Sequence, residues 1–201
     1  MGKEAVEFRG IDNLVYAEVT ADTDVEITFG VVKPLVPIAE LSKTTSSDSA
    51  TKYYDNLPMI NVKSTGPDEV TITCAVLDLE TLADITGQGY DKDLGMIMDG
   101  ENVNKEFAIG YRTKDTSGAY RYVWRLKGTF STPDEAAATE DDGTDSKNQQ
   151  LKYKGLSTVH KFAKDGKARK SVIVQDGGKA DLSTWFSTVQ TPDTVKAKTT
   201  V

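Results

Sequence analysis

Cysteine, histidine and uninterrupted apolar sequence are nearly missing from this chain. Cys74 is the only cysteine, so no intramolecular disulfide can form and a thiolate metal site is not expected. His160 is the only histidine, and the usual zinc, Cys-His and Ser-His constellations find no support around it. No apolar stretch approaches the roughly 18 residues a membrane-spanning helix needs. Residues 1–10, with Lys3, Glu4, Glu7 and Arg9, lack the apolar run of a secretory signal. Met1-Gly2 opens like a myristoylation signal, but Val6 stands where Ser or Thr is wanted. The chain is therefore expected in the cytosol, or in an object assembled there, with no membrane partner. Positive charge is also scarce: 24 Lys and Arg against 31 Asp and Glu leave a net charge of −7, which argues against tight binding to phosphate backbones.

What is present describes one ordinary globular domain. Apolar residues make up 38% and charged residues 27% of 201, enough for a sizeable core. The expected organisation is a single domain over 1–190 followed by a polar C-terminal tail, 191–201. The clearest signal runs from Phe107 to Phe130. Phe107, Ile109 and Tyr111 alternate, a polar turn ends on Gly118, and then Tyr120, Tyr122, Trp124, Leu126 and Phe130 share one parity, interrupted only by Gly128. Arg121, Val123, Arg125 and Lys127 occupy the other. A period of two is that of a half-buried antiparallel strand, whose successive side chains point to opposite faces.

The same reasoning places further elements. A hairpin is expected from 14–20 to 25–32 across Ala21-Asp22-Thr23-Asp24, with Pro34 and Pro37 marking an edge or a crossover. A second is expected from 60–64 to 69–77 across Thr65-Gly66-Pro67-Asp68, which makes Cys74, with Val70, Ile72 and Val76, a small core residue rather than a nucleophile. Between them, 42–56 reads as an exposed flexible loop, because 42–50 offers nothing to bury except Ala50. Tyr53, Tyr54 and Leu57 at its end either pack on the domain or await a partner.

Asp78 caps a short helix that stops at Gly87. A second helix is expected after Asp181, with Leu182, Trp185, Phe186 and Val189 on its apolar face. Residues 131–150 form a long acidic loop, and Asp165-Gly166 marks a hairpin between 151–163 and 168–175. The fold class is mainly β with one or two short helices (α+β): an antiparallel sandwich or barrel with long loops and arms.

Catalytic chemistry is hard to build from these residues. A calcium loop over 91–102 fails where Gly95 and Asn102 replace ligands. Gly87-Gln88-Gly89 lacks the rest of a dinucleotide fingerprint, and Asp141 and Asp142 have no apolar surroundings to raise a pKa. The expectation is a non-enzyme with no cofactor and no metal.

The segment Ala108-Ile109-Gly110-Tyr111-Arg112, the turn, and Tyr120-Arg121-Tyr122-Val123-Trp124-Arg125-Leu126-Lys127-Gly128-Thr129-Phe130 resembles the major tail proteins of long-tailed, non-contractile bacteriophages. The strand over 11–20, the patch Tyr53-Tyr54-Asp55-Asn56, the helix over 78–87, Pro133 with its acidic loop and the Trp185-Phe186 segment agree in order, so the resemblance spans about residues 5–190. It implies a tail tube subunit of the virion, assembled in the host cytoplasm. Such subunits form hexameric rings whose inner strands join into a barrel, and the rings stack into a conduit for DNA. The implied partners are copies of itself and the tape measure, tail terminator and distal tail or baseplate proteins, with double-stranded DNA only in transit. Candidate contacts between subunits or rings are Lys43, Thr44, Asp48, Lys52, Tyr53, Tyr54 and Leu57. Tyr120, Tyr122, Trp124, Leu126, Phe130, Trp185 and Phe186 form the core side of the motif. Two alternatives stand beside this reading. One is a secretion-type or contractile-tail inner tube of the same fold; the other is a monomeric carbohydrate-binding β-sandwich using Tyr53, Tyr54 and Tyr90.

Overall fold

The protein is described by a computed structural model over residues 5–98, 100, 103–134 and 148–199, with the side chains of Asp48, Val62 and Lys63 excepted. Two curled antiparallel sheets form a half-barrel. The larger has the order β12-β9-β8-β1-β2, with β3 also on β1. Its strands are β1 (Phe8–Asp22), β2 (Ile27–Phe29), β3 (Lys33–Pro34), β8 (Phe107–Asp115), β9 (Tyr120–Arg125) and β12 (Ser171–Gln175). The smaller has the order β10-β11-β5-β4, built from β4 (Ile38–Tyr54), β5 (Leu57–Cys74), β10 (Gly128–Phe130) and β11 (Gln149–Gly155). Helix α1 (Leu79–Thr86) and a small hairpin, β6 (Gly89–Asp91) with β7 (Met96–Met98), complete the described elements.

The alternation in β8 and β9 decides where the core sits. Register pairs Ile109 with Arg125, Tyr111 with Val123 and Thr113 with Arg121 on one face, and Gly110 with Trp124 and Arg112 with Tyr122 on the other. The first face meets the small sheet: Tyr16, Phe107, Ile109, Tyr111 and Val123 pack with Val70, Ile72, Cys74, Leu151 and Tyr153 in one buried cluster. The second is covered by the C-terminal segment, with Trp124, Leu126, Phe162, Trp185 and Val189 buried together. Trp124 lies over Gly110, where an added Cβ would come within 2.8 Å of its ring, and its indole N–H donates to the Trp185 carbonyl at 2.8 Å. Cys74 is fully buried, as a small core residue should be.

Helix α1 follows its sequence signals. The Asp78 carboxylate accepts from the Thr81 N–H, and Gly87 closes the helix at φ 71°, in the left-handed region that favours glycine.

Several expectations are corrected. Residues 42–56 are not a loop: 42–54 lie within β4, which pairs with β5 from Ile38↔Cys74 out to Tyr54↔Leu57. The turn of this long hairpin is Asp55-Asn56, both at positive φ (50° and 63°), the backbone a tight two-residue hairpin requires. Thr65-Gly66-Pro67-Asp68 therefore does not turn the chain. Register passes from Ser47↔Thr65 to Thr45↔Asp68, so Gly66 and Pro67 oppose Ser46 alone. The bulge accommodates a proline that cannot donate to the ladder.

The second helix is also absent. Residues 183–187 form turns with Trp185 N–H to Leu182 and Ser187 N–H to Thr184 carbonyl bonds, although Trp185 docks on the sheet as expected. Residues 156–170 hold only the bridge Phe162↔Lys167 around Gly166, because β11 and β12 belong to different sheets. Most of 191–199 is tied down rather than a free tail: Thr191 is buried, Ala197 bridges Ala180, and Asp193 accepts from the Ala163 and Lys164 N–H groups. The acidic loop lies largely outside the described residues, Asp141 and Asp142 with it.

Candidate functional site

Three features of the surface are unfinished: two strand edges, the tip of the β4–β5 arm, and a cleft between the sheets. An unpaired edge exposes a row of N–H and C=O groups, and soluble proteins usually blunt it. Three edges here are blunted. β3 carries Pro34, and β2 and β10 are only three residues long. The other two are not. β4 is a 17-residue edge strand without proline, and β12, Ser-Val-Ile-Val-Gln, is an edge of β-branched residues whose Ile173 is 55% exposed.

The arm divides the candidate contacts into two groups. Lys43 and Thr44 sit at its root, where Lys43 stands 3.7 Å from Asp68. Lys52, Tyr53, Tyr54 and Leu57 sit at its tip, about 30 Å further along at ~3.3 Å per residue. Asp48 lies between them, paired through its backbone with Ser64. At the tip Tyr53 is 66%, Tyr54 50% and Leu57 62% exposed, and Met59 and Ile60 are exposed beside them. The tyrosines thus do not pack on their own domain. Met59 and Ile60 extend the exposed tip beyond the candidate contacts, and the Asp55-Asn56 pair is the local signal that places them there.

The third feature is a cleft of about 750 Å³ where the two sheets splay apart. Phe8, Ile11, Tyr111, Val123 and Ile173 supply apolar walls, and Arg9, Lys43, Arg121 and Arg125 line it too, with Glu40 of the edge strand β4 the one acid among the lining residues. Arg121 lies over the Phe8 ring at 5.1 Å. In the depth of the cleft, Arg125 Nη1 donates to Asp68 Oδ2 at 2.8 Å and Nη2 to the Tyr111 hydroxyl at 2.9 Å. Asp68 also accepts from Thr45 Oγ1 at 2.9 Å and lies 3.5 Å from Lys170. Burial alone would raise the Asp68 carboxyl, but the Thr45 hydroxyl and the charges of Lys43, Arg125 and Lys170 outweigh it and hold it below the ordinary value. Two buried polar atoms here have no hydrogen-bond partner, Thr113 Oγ1 and Arg125 Nε.

Arg121, Val123 and Arg125 of β9 thus share the face of Ile109 and Tyr111, where Arg125 is paired with Asp68 and Arg121 rests on Phe8. Lys127 likewise meets Asp22 at 2.9 Å and Glu106 at 3.1 Å. His160 is not in a strand; its ring meets Phe162 edge-on at 5.2 Å. Among the described residues no three His, Cys, Asp or Glu side chains are grouped to hold a metal ion, and no helix is long and apolar enough to cross a membrane. Comparison with models of known protein families and with curated proteins finds no match to this chain.

Proposed function

We propose that this chain is a structural subunit that completes its sheets with copies of itself, as the tail tube protein of a long-tailed bacteriophage does. The observation that carries this reading is the pair of unblunted edges, β4 and β12, on opposite sheets of an open half-barrel. Joining one edge of a subunit to a different edge of the next is a heterologous contact, and such contacts close into rings when the rotation closes. Closure removes edges altogether, the one complete remedy for them.

The outer face of the small sheet supports a conduit. Glu40, Ser42, Thr44, Glu69, Thr71, Thr73, Gln150, Lys152 and Lys154 alternate outward in the registers of β4, β5 and β11. That face is wholly polar, with two acids against two lysines. DNA carries about one charge per 1.7 Å of its axis, and such a wall neither binds it through phosphates nor offers it apolar surface. On this reading the protein belongs to the virion tail, its rings number six subunits as in the family it resembles, and tape measure, terminator and distal tail proteins are its further partners.

Sedimentation velocity across a wide concentration range, with negative-stain images of the largest species, tests the proposal. The expected result is rings and stacked tubes; a monomer at every concentration overturns it.

A further inference from the structure

Resting on the self-assembly reading, we infer that the cleft between the sheets receives the arm tip of a second copy, the segment Tyr54-Asp55-Asn56-Leu57. The cleft is built for an occupant. Arg125 at its depth is already bonded to Asp68 and Tyr111, whereas Arg121, which lines it over the Phe8 ring, has no carboxylate partner among the described residues. Its walls are apolar and its charged lining is positive, in a chain whose net charge is −7. The matching occupant carries a carboxylate between apolar side chains. Around the tip turn stands such a group: Asp55 lies between Tyr54 and Leu57, both half or more exposed. The turn is held at positive φ at Asp55 and Asn56, which presents the carboxylate at the extreme end of the arm.

The tip cannot enter the cleft of its own chain. Lys43, which lines the cleft, and Asp55 lie on the same side of one hairpin, 12 residues apart along extended strand, on the order of 40 Å. The ladder between them keeps the tip pointing away, so the occupant comes from another molecule. A tip on one subunit and a cleft on the next form a heterologous contact that repeats without limit. The cleft and the β12 edge adjoin at Ile173, so stacking through the tip and ring closure through the edge use neighbouring surfaces.

Charge exchange and cross-linking test this. Asp55→Lys and Arg121→Glu are each expected to raise the concentration at which assembly sets in by about tenfold or more, and Asp55→Lys, whose side chain is exposed, is expected to leave the melting curve unchanged. The chain carrying both changes is expected to assemble near the wild-type concentration. In parallel, Leu57→Cys protein mixed with Ile173→Cys protein under mild oxidation is expected to give an intermolecular disulfide; buried Cys74 does not compete. Rescue together with cross-linking supports the inference, and if the cross-linked species never close into rings, the inference stands and the tube reading falls. Rings that form with neither cross-link nor charge dependence overturn the inference and leave the tube reading intact. A cleft that serves some other protein gives the same negative result. Strict monomers in every variant overturn both.

Discussion

Changing Tyr53, Tyr54 and Leu57 together to serine is expected to stop assembly while leaving the monomer's melting temperature where it is. All three side chains stand half or more exposed at the end of an arm where, among the described residues, β4 and β5 pair only with each other. The folded monomer therefore loses no buried contact when they are shortened. An assembled contact loses the burial of two aromatic rings and a leucine, on the order of 5 kcal/mol at each tip, several thousandfold in association. Thermal melts and sedimentation velocity on one preparation separate the two effects. Tubes of normal length from the triple variant would remove the tip from the contact.

The second large effect lies inside the fold. Asp68→Ala is expected to cost about 3–5 kcal/mol, because it leaves the Arg125 guanidinium buried without its carboxylate. The acid dependence has a definite sign. The Asp68 carboxyl is held below its ordinary value in the folded state, so the stability it contributes is fully present above pH about 4 and is lost as pH falls through the lowered value. Asp22 and Asp84 act in the same direction. At Asp22 the Lys127 ammonium and the Val159 and His160 N–H groups outweigh the cost of burial; at Asp84 the partners are Lys33, Tyr16 and Lys105. Denaturant titrations at pH 7 and pH 3 check this. Asp68→Asn should be less stable than the wild type at pH 7 and should lose less on acidification; equal stability at pH 7 would contradict the assignment.

Sequence reasoning reached the parts of the fold where burial leaves a periodic trace. The alternation from Phe107 to Trp124 marked the strands but not their burial, since Ile109 and Tyr111 face the small sheet while Tyr122 and Trp124 face the C-terminal segment, so both faces are covered. Asp78 and Gly87 could be read because caps are local chemistry. The arm could not. Its outer half, Ser47 to Ile60, buries neither face in the monomer, so no alternation distinguishes it from a loop. The Gly66-Pro67 pair then drew the turn to the wrong place, since the same residues serve a bulge. Trp185 shows the converse case. Its helical spacing is real, but residues 183–187 form turns while Trp185 packs in the buried cluster with Trp124. The candidate contacts at the tip were visible as tyrosines beside a polar run. The cleft was not, because Phe8, Ile11, Arg121 and Ile173 meet only through the pairing of β1, β8, β9 and β12.

Amide hydrogen exchange on the two unblunted edges bears most directly on the claim that this chain finishes its ladders with its own copies. In dilute monomer the outward N–H groups of β4 and β12 should exchange quickly, and in the assembled fraction they should become protected while β8 and β9 change little. Exchange at those edges as fast in the assembly as in the monomer would contradict the account.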